Sequence, residues 1–219
     1  IFINKGQKEM GLESGFTGLN NSRQSSVALE RINDVAAHML TQYADCQNSR
    51  ENAMTVFTEI YENMQSVCDY FRQTFAARGV SVDNIYCQKD QATQSIVMSI
   101  LWQKIGFTMM TNDRPQALHR QDGKKVICYR ILATKGDCIK IINENPENMV
   151  SKLLEFEVAS LYVPANKNDV CEMRVRHLSN EIHSINQQLA AREFFLKVVE
   201  YTCGGGSLHV EKEFPGIIY

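Results

Sequence analysis

The sequence predicts an α+β protein that is mainly α, in which an antiparallel helical body carries an inserted β-hairpin and a long C-terminal coiled-coil-like helix. Three observations lead to this prediction. Apolar residues recur at helical spacing over several long stretches. Two short runs rich in β-branched residues, separated by a loop that contains glycine, lie near 126–142. The composition, 44% hydrophobic and 22% charged over 219 residues, is typical of a soluble globular protein.

The most regular pattern lies between Val175 and Val199. Its apolar residues recur alternately three and four positions apart, with Arg192 as the only break, which is the a/d pattern of a coiled coil. No proline interrupts the run, so we expect a helix over about 170–203, roughly 50 Å long at 1.5 Å per residue. The residues of this predicted seam are Val175, Leu178, Ile182, Ile185, Leu189, Leu196 and Val199.

The chain divides into an N-terminal arm at 1–24, a helical body at 25–203 and a C-terminal arm at 204–219. The first arm contains four glycines and isolated apolar residues without a period, so an arm and plain disorder are both open for it. The second arm begins with three glycines and shows strand-like alternation at Leu208 and Val210. It ends in an apolar anchor made of Phe214, Ile217, Ile218 and Tyr219.

Two long helices are predicted to open the body. Ser25 or Ser26 caps the first, which ends near Asp45. Asn48 or Ser49 caps the second, which Gly79 ends. A short turn between them would make an antiparallel hairpin, and apolar stripes at this spacing belong to the core in most proteins. The first stripe contains Ala28, Ile32, Val35, Met39 and Tyr43, widened by Leu29, Ala36 and Leu40; the second contains Ala53, Phe57, Ile60, Met64, Val67, Phe71 and Phe75.

Three further elements are predicted before the long helix. A helix over about 90–105 would end at Gly106. Strands at 126–132 and 138–142 would form the inserted β-hairpin near 126–142. Asn145-Pro146-Glu147 would open another helix that ends before Pro164.

The formal charge of −2 hides a basic segment between Lys104 and Lys140. It holds eight basic and three acidic residues, a local +5, which leaves 15 basic and 22 acidic residues, or −7, elsewhere. A helix, a basic loop and a β-hairpin in this order are loosely the order of a winged helix, so a polyanion is a candidate partner; an acidic protein face is the other. The possible polyanion-binding residues are Lys104, Arg114, Arg120, Lys124, Lys125, Arg130, Lys135 and Lys140.

The sequence contains no motif that indicates a metal, a cofactor or a catalytic group. His177 and Glu181 share a helical face in the predicted helix, but no further metal ligands accompany them, and glycine-rich phosphate loops are absent. The seven cysteines form no Cys-x-x-Cys pair, which favours reduced thiols in an intracellular protein, cytoplasmic or nuclear. No apolar run approaches the roughly 20 residues of a membrane span, so we expect no membrane partner.

These observations predict a non-enzymatic, self-associating structural or scaffold protein that uses its long amphipathic helix and its terminal arms. Its partner would be another copy of itself or another helical protein, although the predicted seam could equally pack inside one chain. The alternative is a nucleic-acid-binding protein that uses the basic 104–140 surface. A third hypothesis is an enzyme with a Cys/His site assembled from distant segments.

Overall fold

The computed structural model describes residues 22–111, 116–119, 123, 125–176 and 182–203. The described residues fall into two compact units, with the boundary between Tyr43 and Ala44. The elements in chain order are helix α1 (Ser22–Ala76), strands β1 (Tyr86–Asp90), β2 (Ser95–Ile100), β3 (Gln103–Thr108), β4 (Gln116–His119) and β5 (Lys125–Lys135), helices α2 (Cys138–Glu144) and α3 (Met149–Glu155), strands β6 (Glu157–Pro164), β7 (Cys171–Val175) and β8 (Ile182–Ile185), a 3₁₀ turn (Gln187–Leu189) and helix α4 (Ala190–Cys203).

An antiparallel β-sheet organises the second unit. In the described residues it has eight strands, in the order β1-β2-β3-β5-β6-β7-β8, with β4 also paired to β5. Strand β5 is the longest and lies at the centre, where it pairs with β3 near one end, β4 near the other and β6 along most of its length. The prediction of a mainly helical body with one inserted hairpin is therefore wrong, because the described residues between Tyr86 and Ile185 contribute eight strands to this sheet.

One face of the sheet carries the main core. Alternate residues of β5 and β6, including Ile131 and Leu161, are fully buried there. The part of α1 within the second unit contributes Phe57, Ile60 and Met64 to the same cluster. Helix α4 adds Phe194 and Phe195, whose rings lie 5.7 and 6.2 Å from the ring of Phe107 on β3. Aromatic pairs at these distances are favourable beyond their buried area.

Helices α2 and α3 cover part of the opposite face. Ile139, Ile142 and Leu153 from these helices are buried with Val97 of β2 and Leu132 of β5. Helix α2 can approach the sheet closely because β3 has a glycine, Gly106, opposite Cys138. A Cβ atom there would lie 2.6 Å from Cys138 Sγ, well inside van der Waals contact.

The predicted helical hairpin at the start of the body is replaced by one continuous 55-residue helix. Both predicted apolar stripes lie in α1, but the turn between them is absent. The stretch 44–52 contains neither glycine nor proline, and Ser49 donates its hydroxyl to Cys46 O, 3.0 Å away, from within the helix instead of capping a new one. Serine and asparagine are compatible with a helix interior, so they do not by themselves end a helix.

The predicted helix over 90–105 is wrong, because this stretch forms the β2-β3 hairpin. The turn is Leu101-Trp102, with Leu101 at a φ of +56°, a conformation that usually requires glycine or asparagine. Five consecutive residues of β2, Ser95 to Ser99, are buried. A strand buried on both faces loses the alternation by which a strand is recognised, and its apolar run then matches a helical pattern as well.

The predicted β-hairpin near 126–142 is also wrong. Its first half belongs to β5, which continues without a turn to Lys135 and pairs with β3 and β6. Its second half is helix α2, because the Asp137 carboxylate accepts a hydrogen bond from Lys140 N at 3.1 Å and caps the helix. The predicted helix from Asn145 to Pro164 is confirmed only over α3, after which β6 begins at Glu157.

The long C-terminal helix does not form. Among the described residues of 170–203, only Ala190–Cys203 is α-helical, and most of the others belong to β7, β8 and the 3₁₀ turn. Val175 and Ile185 are buried in the sheet core, where β7 pairs with the preceding strand β6 and β8 pairs with β7. Tertiary pairing therefore overrides a local pattern that fits a helix equally well.

Candidate association surface

Large apolar side chains are exposed along the α1 residues of the first unit. Every residue from Leu29 to Tyr43 is exposed. The six largest apolar side chains among them keep between 51% and 69% of their surface in contact with solvent. We call the following residues the apolar face: Leu29, Ile32, Val35, Ala36, Met39, Leu40 and Tyr43.

The apolar face is continuous and uncharged. At 3.6 residues per turn, it covers an arc of about 140° around the helix axis, from Val35 on one border to Leu40 on the other. Gln42 and Asn33 flank the arc, and the Tyr43 hydroxyl is the only polar side-chain group inside it. The charged residues Glu30, Arg31 and Asp34 all lie outside the arc, as they do in a helix that buries one side.

The same spacing produces a buried face in the second unit. Ala53, Phe57, Ile60 and Met64 are each at most 2% exposed. Apolar side chains at three- and four-residue spacing are normally covered in this way. The apolar face of residues 29–43 thus has the composition of a core-facing helix together with the exposure of a surface helix, and contiguous exposed apolar surface is typical of interaction sites in general.

Exposed apolar residues in the second unit are scattered by comparison. Tyr70, Trp102, Phe156 and Leu189 lie on α1, the β2-β3 turn, the end of α3 and the 3₁₀ turn. Trp102 is the most exposed of them, at 78%, because the tight turn directs it outward while Leu101 packs against the core. Single exposed apolar side chains are common on monomeric proteins and do not define a site.

The structure disperses the predicted seam. Val175 and Ile185 are buried, Ile182 lies on the edge strand β8, and Leu189 and Leu196 are about half exposed on the 3₁₀ turn and α4. The remaining described seam residue, Val199, is partly buried on α4. Leu178 and the arm anchor Phe214, Ile217, Ile218 and Tyr219 lie outside the described residues. The described seam residues therefore do not share one helical face.

The basic residues do not converge on one patch in the part of the chain that the structure describes. Lys104 pairs with Asp137 at 3.1 Å, and Lys140 lies 3.7 Å from Glu144. Lys125 and Lys135 stand at opposite ends of β5, about 33 Å apart at 3.3 Å per residue. Arg114, Arg120 and Lys124 lie outside the described residues. Binding of nucleic acid stays a prediction.

Arg130, the remaining basic residue, belongs to a buried ionic cluster on the sheet that the sequence did not reveal. Its Nε donates to Ser160 Oγ at 2.8 Å, and its guanidinium lies 3.1 Å from the Glu157 carboxylate. The Ser160 hydroxyl donates to the same carboxylate at 2.5 Å. Since Arg130 and Ser160 lie on neighbouring strands, the cluster fixes the pairing of β5 with β6. The available signal was a single charged residue, Arg130, among the otherwise apolar residues from Val126 to Ala133.

A second ion pair extends this polar surface along the sheet. Arg174 Nε donates to Glu172 Oε1 at 2.7 Å, and the Arg174 guanidinium lies 5.2 Å from the centre of the Tyr162 ring. Glu172 and Tyr162 are buried and pair directly between β7 and β6. Arg130 and Arg174 each have a carboxylate within reach, so the arrangement is that of a structural network.

The buried thiols are poorly suited to nucleophilic chemistry. Burial raises the pKa of Cys68 to about 11 and the pKa of Cys87, Cys138 and Cys171 to about 12. A catalytic cysteine needs the opposite shift, because the thiolate is the nucleophile. No cluster of three or more potential metal ligands occurs among the described residues. His177 and Glu181 lie outside them.

Comparisons of the chain with protein-family models, curated proteins and solved structures found no match in any of the three. Among the described helices, none is both long enough and apolar enough to cross a membrane. The apolar face of residues 29–43 is a contiguous apolar surface that the fold of the described residues leaves exposed.

Proposed function

We propose that this protein is a non-enzymatic, self-associating structural protein, and that the apolar face of residues 29–43 is its association surface. The observation that carries the proposal is the exposure of Ile32, Met39 and Leu40, at 51%, 64% and 69%, within an uncharged helical arc. The helix that associates is thus α1, and not the C-terminal helix that the sequence predicts.

The composition of the arc selects the kind of partner. A surface without charges offers no ion pair, so a partner has to present an apolar surface as well. A second copy of the chain presents the same face, and identical faces meet readily about a two-fold or higher rotation axis. A helix that lies on a membrane surface carries lysine and arginine on its polar side, whereas Glu30 and Asp34 outnumber Arg31 here.

The energetics are adequate for reversible association. Burying a whole leucine, isoleucine or methionine side chain contributes about 1.5–3 kcal/mol, so covering the exposed half of each of the six large residues contributes roughly 1 kcal/mol apiece. A fully covered face would thus contribute about 6 kcal/mol per chain, which is of the same order as the 4–15 kcal/mol lost in translational and rotational freedom on each association. The oligomer should therefore depend on protein concentration.

A pair of charge substitutions tests the proposal. In Ile32→Lys with Met39→Lys, two ammonium groups would have to be buried at the interface, so we expect the variant to be monomeric. The matched control is Ala37→Lys with Thr41→Lys, which adds the same charge to exposed positions outside the arc. The control should keep the mass of the unmodified protein in light scattering.

Either of two results would count against the proposal. The first is an unmodified protein that is monomeric at every accessible concentration. The second is an Ile32→Lys/Met39→Lys variant that associates as strongly as the control. Far-ultraviolet circular dichroism of both variants checks that helix content is unchanged, since each substituted residue is exposed and lysine is a good helix former.

A further inference from the structure

We propose that each apolar face is covered by two neighbouring copies of the same helix, so that the assembly contains at least three chains. This inference rests on the proposed function, since it specifies how many partners one face of residues 29–43 contacts. It depends on the width of the arc and on the residues that occupy its centre and its borders.

The borders of the arc are apolar where a two-stranded coiled coil is polar. With Leu29 at position a of a heptad, Ile32 falls at d, while Val35 and Leu40 fall at g and e. In two-stranded coiled coils the e and g positions commonly carry glutamate and lysine, which pair across the interface at its edges. The four e and g residues from 33 to 42 are Asn33, Val35, Leu40 and Gln42, and none is charged.

One partner helix cannot cover both borders. Val35 and Leu40 lie about 140° apart on the helix circumference at 3.6 residues per turn, whereas the seam of a two-stranded coiled coil involves little more than the a and d positions. In a dimer both side chains would therefore keep much of the exposure that they have in one chain, which is 59% for Val35 and 69% for Leu40. In a ring of three or four helices, each border meets a different neighbour.

The central residues favour the same stoichiometry. Isoleucine at a with leucine at d favours two strands, because β-branched side chains pack well at a in a dimer. The first heptad here has the opposite arrangement, with Leu29 at a and Ile32 at d, and leucine at a with isoleucine at d shifts the preference to trimers and tetramers. Two independent features of the face, its borders and its centre, thus point away from a dimer.

Sedimentation equilibrium of the full chain tests the inference. We expect a limiting mass of at least three times 24.9 kDa at high concentration. A limiting mass of twice 24.9 kDa would overturn the inference and leave self-association through the face intact, whereas 24.9 kDa at all concentrations would remove both.

A border variant separates this arrangement from a dimer that associates further through some other surface. Val35→Gln with Leu40→Gln removes apolar surface only at the borders. The limiting mass of this variant should therefore fall below the mass of three chains. A variant that keeps the mass of the unmodified protein would overturn the inference. Glutamine is a good helix former, so the helix itself should persist.

The C-terminal arm is an alternative source of apolar residues for covering the borders. Ile217→Asp with Ile218→Asp would weaken any contact that the arm makes with Val35 or Leu40. If neighbouring helices cover the borders, this variant keeps the full mass. A fall to a dimer would assign the borders to the arm and overturn the inference.

Discussion

Replacement of Gly106 by alanine should destabilise the second unit through a clash between β3 and α2. The added Cβ would lie 2.6 Å from Cys138 Sγ, 2.8 Å from Cys138 Cβ and 2.8 Å from Thr134 Oγ1. Ordinary contacts between such atoms lie at about 3.5–4.0 Å, so the helix would have to move away from the sheet by nearly 1 Å. Cys138 is fully buried and begins α2, so the shift would disturb the whole helix.

The expected loss is about 1–2 kcal/mol. Overpacking a well-filled core costs ~1–3 kcal/mol, from which the ~0.5–1 kcal/mol that alanine gains over glycine within a strand must be subtracted. Urea unfolding followed by circular dichroism would measure the loss as a lower midpoint with an unchanged slope.

A double-mutant cycle with Cys138→Ala identifies the clash as the cause. That substitution removes Sγ, the nearest of the three atoms, so Gly106→Ala should cost less in the Cys138→Ala background than in the unmodified protein. A Gly106→Ala variant as stable as the unmodified protein, or equal losses in both backgrounds, would refute the close packing of α2 against β3.

Three further predictions concern the second unit. Arg130→Ala should cost about 3–5 kcal/mol, because it removes the cation beside the largely buried Glu157 carboxylate, and the Arg130→Ala/Glu157→Ala double variant should be more stable than Arg130→Ala alone in urea unfolding. Burial raises the pKa of Cys171 from 9.0 to about 12, so above pH 9 the unfolded chain loses a proton that the folded protein keeps, and stability should fall by up to about 1.4 kcal/mol per pH unit for this thiol. Cys171→Ala should reduce that slope between pH 9 and 10.5, and an unchanged slope would contradict the assignment. Trp102 is the only tryptophan of the chain and is 78% exposed, so acrylamide should quench its fluorescence nearly as well in the native protein as in urea. Much weaker quenching in the native protein would contradict the exposed position of Trp102.

The three- and four-residue spacing of apolar residues predicted part of the fold correctly. One physical reason explains why it failed elsewhere. Apolar residues at three- and four-residue spacing lie in helix in the stretch 53–75, but the same spacing at Val175, Ile182 and Ile185 lies in strands. Short apolar runs are compatible with both structures, and pairing with neighbouring strands decides between them. Val175 pairs with Ala159 of β6, and Ile185 pairs with Cys171 of β7, so the pairing joins successive strands and lies outside the few residues that set a helical period.

Turn chemistry misled the prediction at two positions. The β2-β3 turn uses Leu101 at positive φ, where a sequence signal would be asparagine or glycine. Gly136 suggested a hairpin turn, yet the following Asp137 caps helix α2. In both places a side chain that packs against the core fixes the backbone through tertiary contacts: the partly buried Leu101 within the first turn and the buried Cys138 after the second.

The candidate surface was visible in the sequence as an apolar stripe, but its exposure was not. Ile32, Val35 and Met39 follow the same period as the buried residues Phe57, Ile60 and Met64, and only the structure separates the two sets. The buried Arg130 was likewise assigned to a basic surface, because a sequence does not show that Glu157 and Ser160 meet it across neighbouring strands.

Sedimentation equilibrium of the unmodified protein beside the Ile32→Lys/Met39→Lys variant tests self-association through the apolar face most directly. The mass of the unmodified protein should rise above 24.9 kDa as its concentration increases, and the variant should remain at 24.9 kDa over the same range. Equal masses for the two proteins at every concentration would contradict association through residues 29–43.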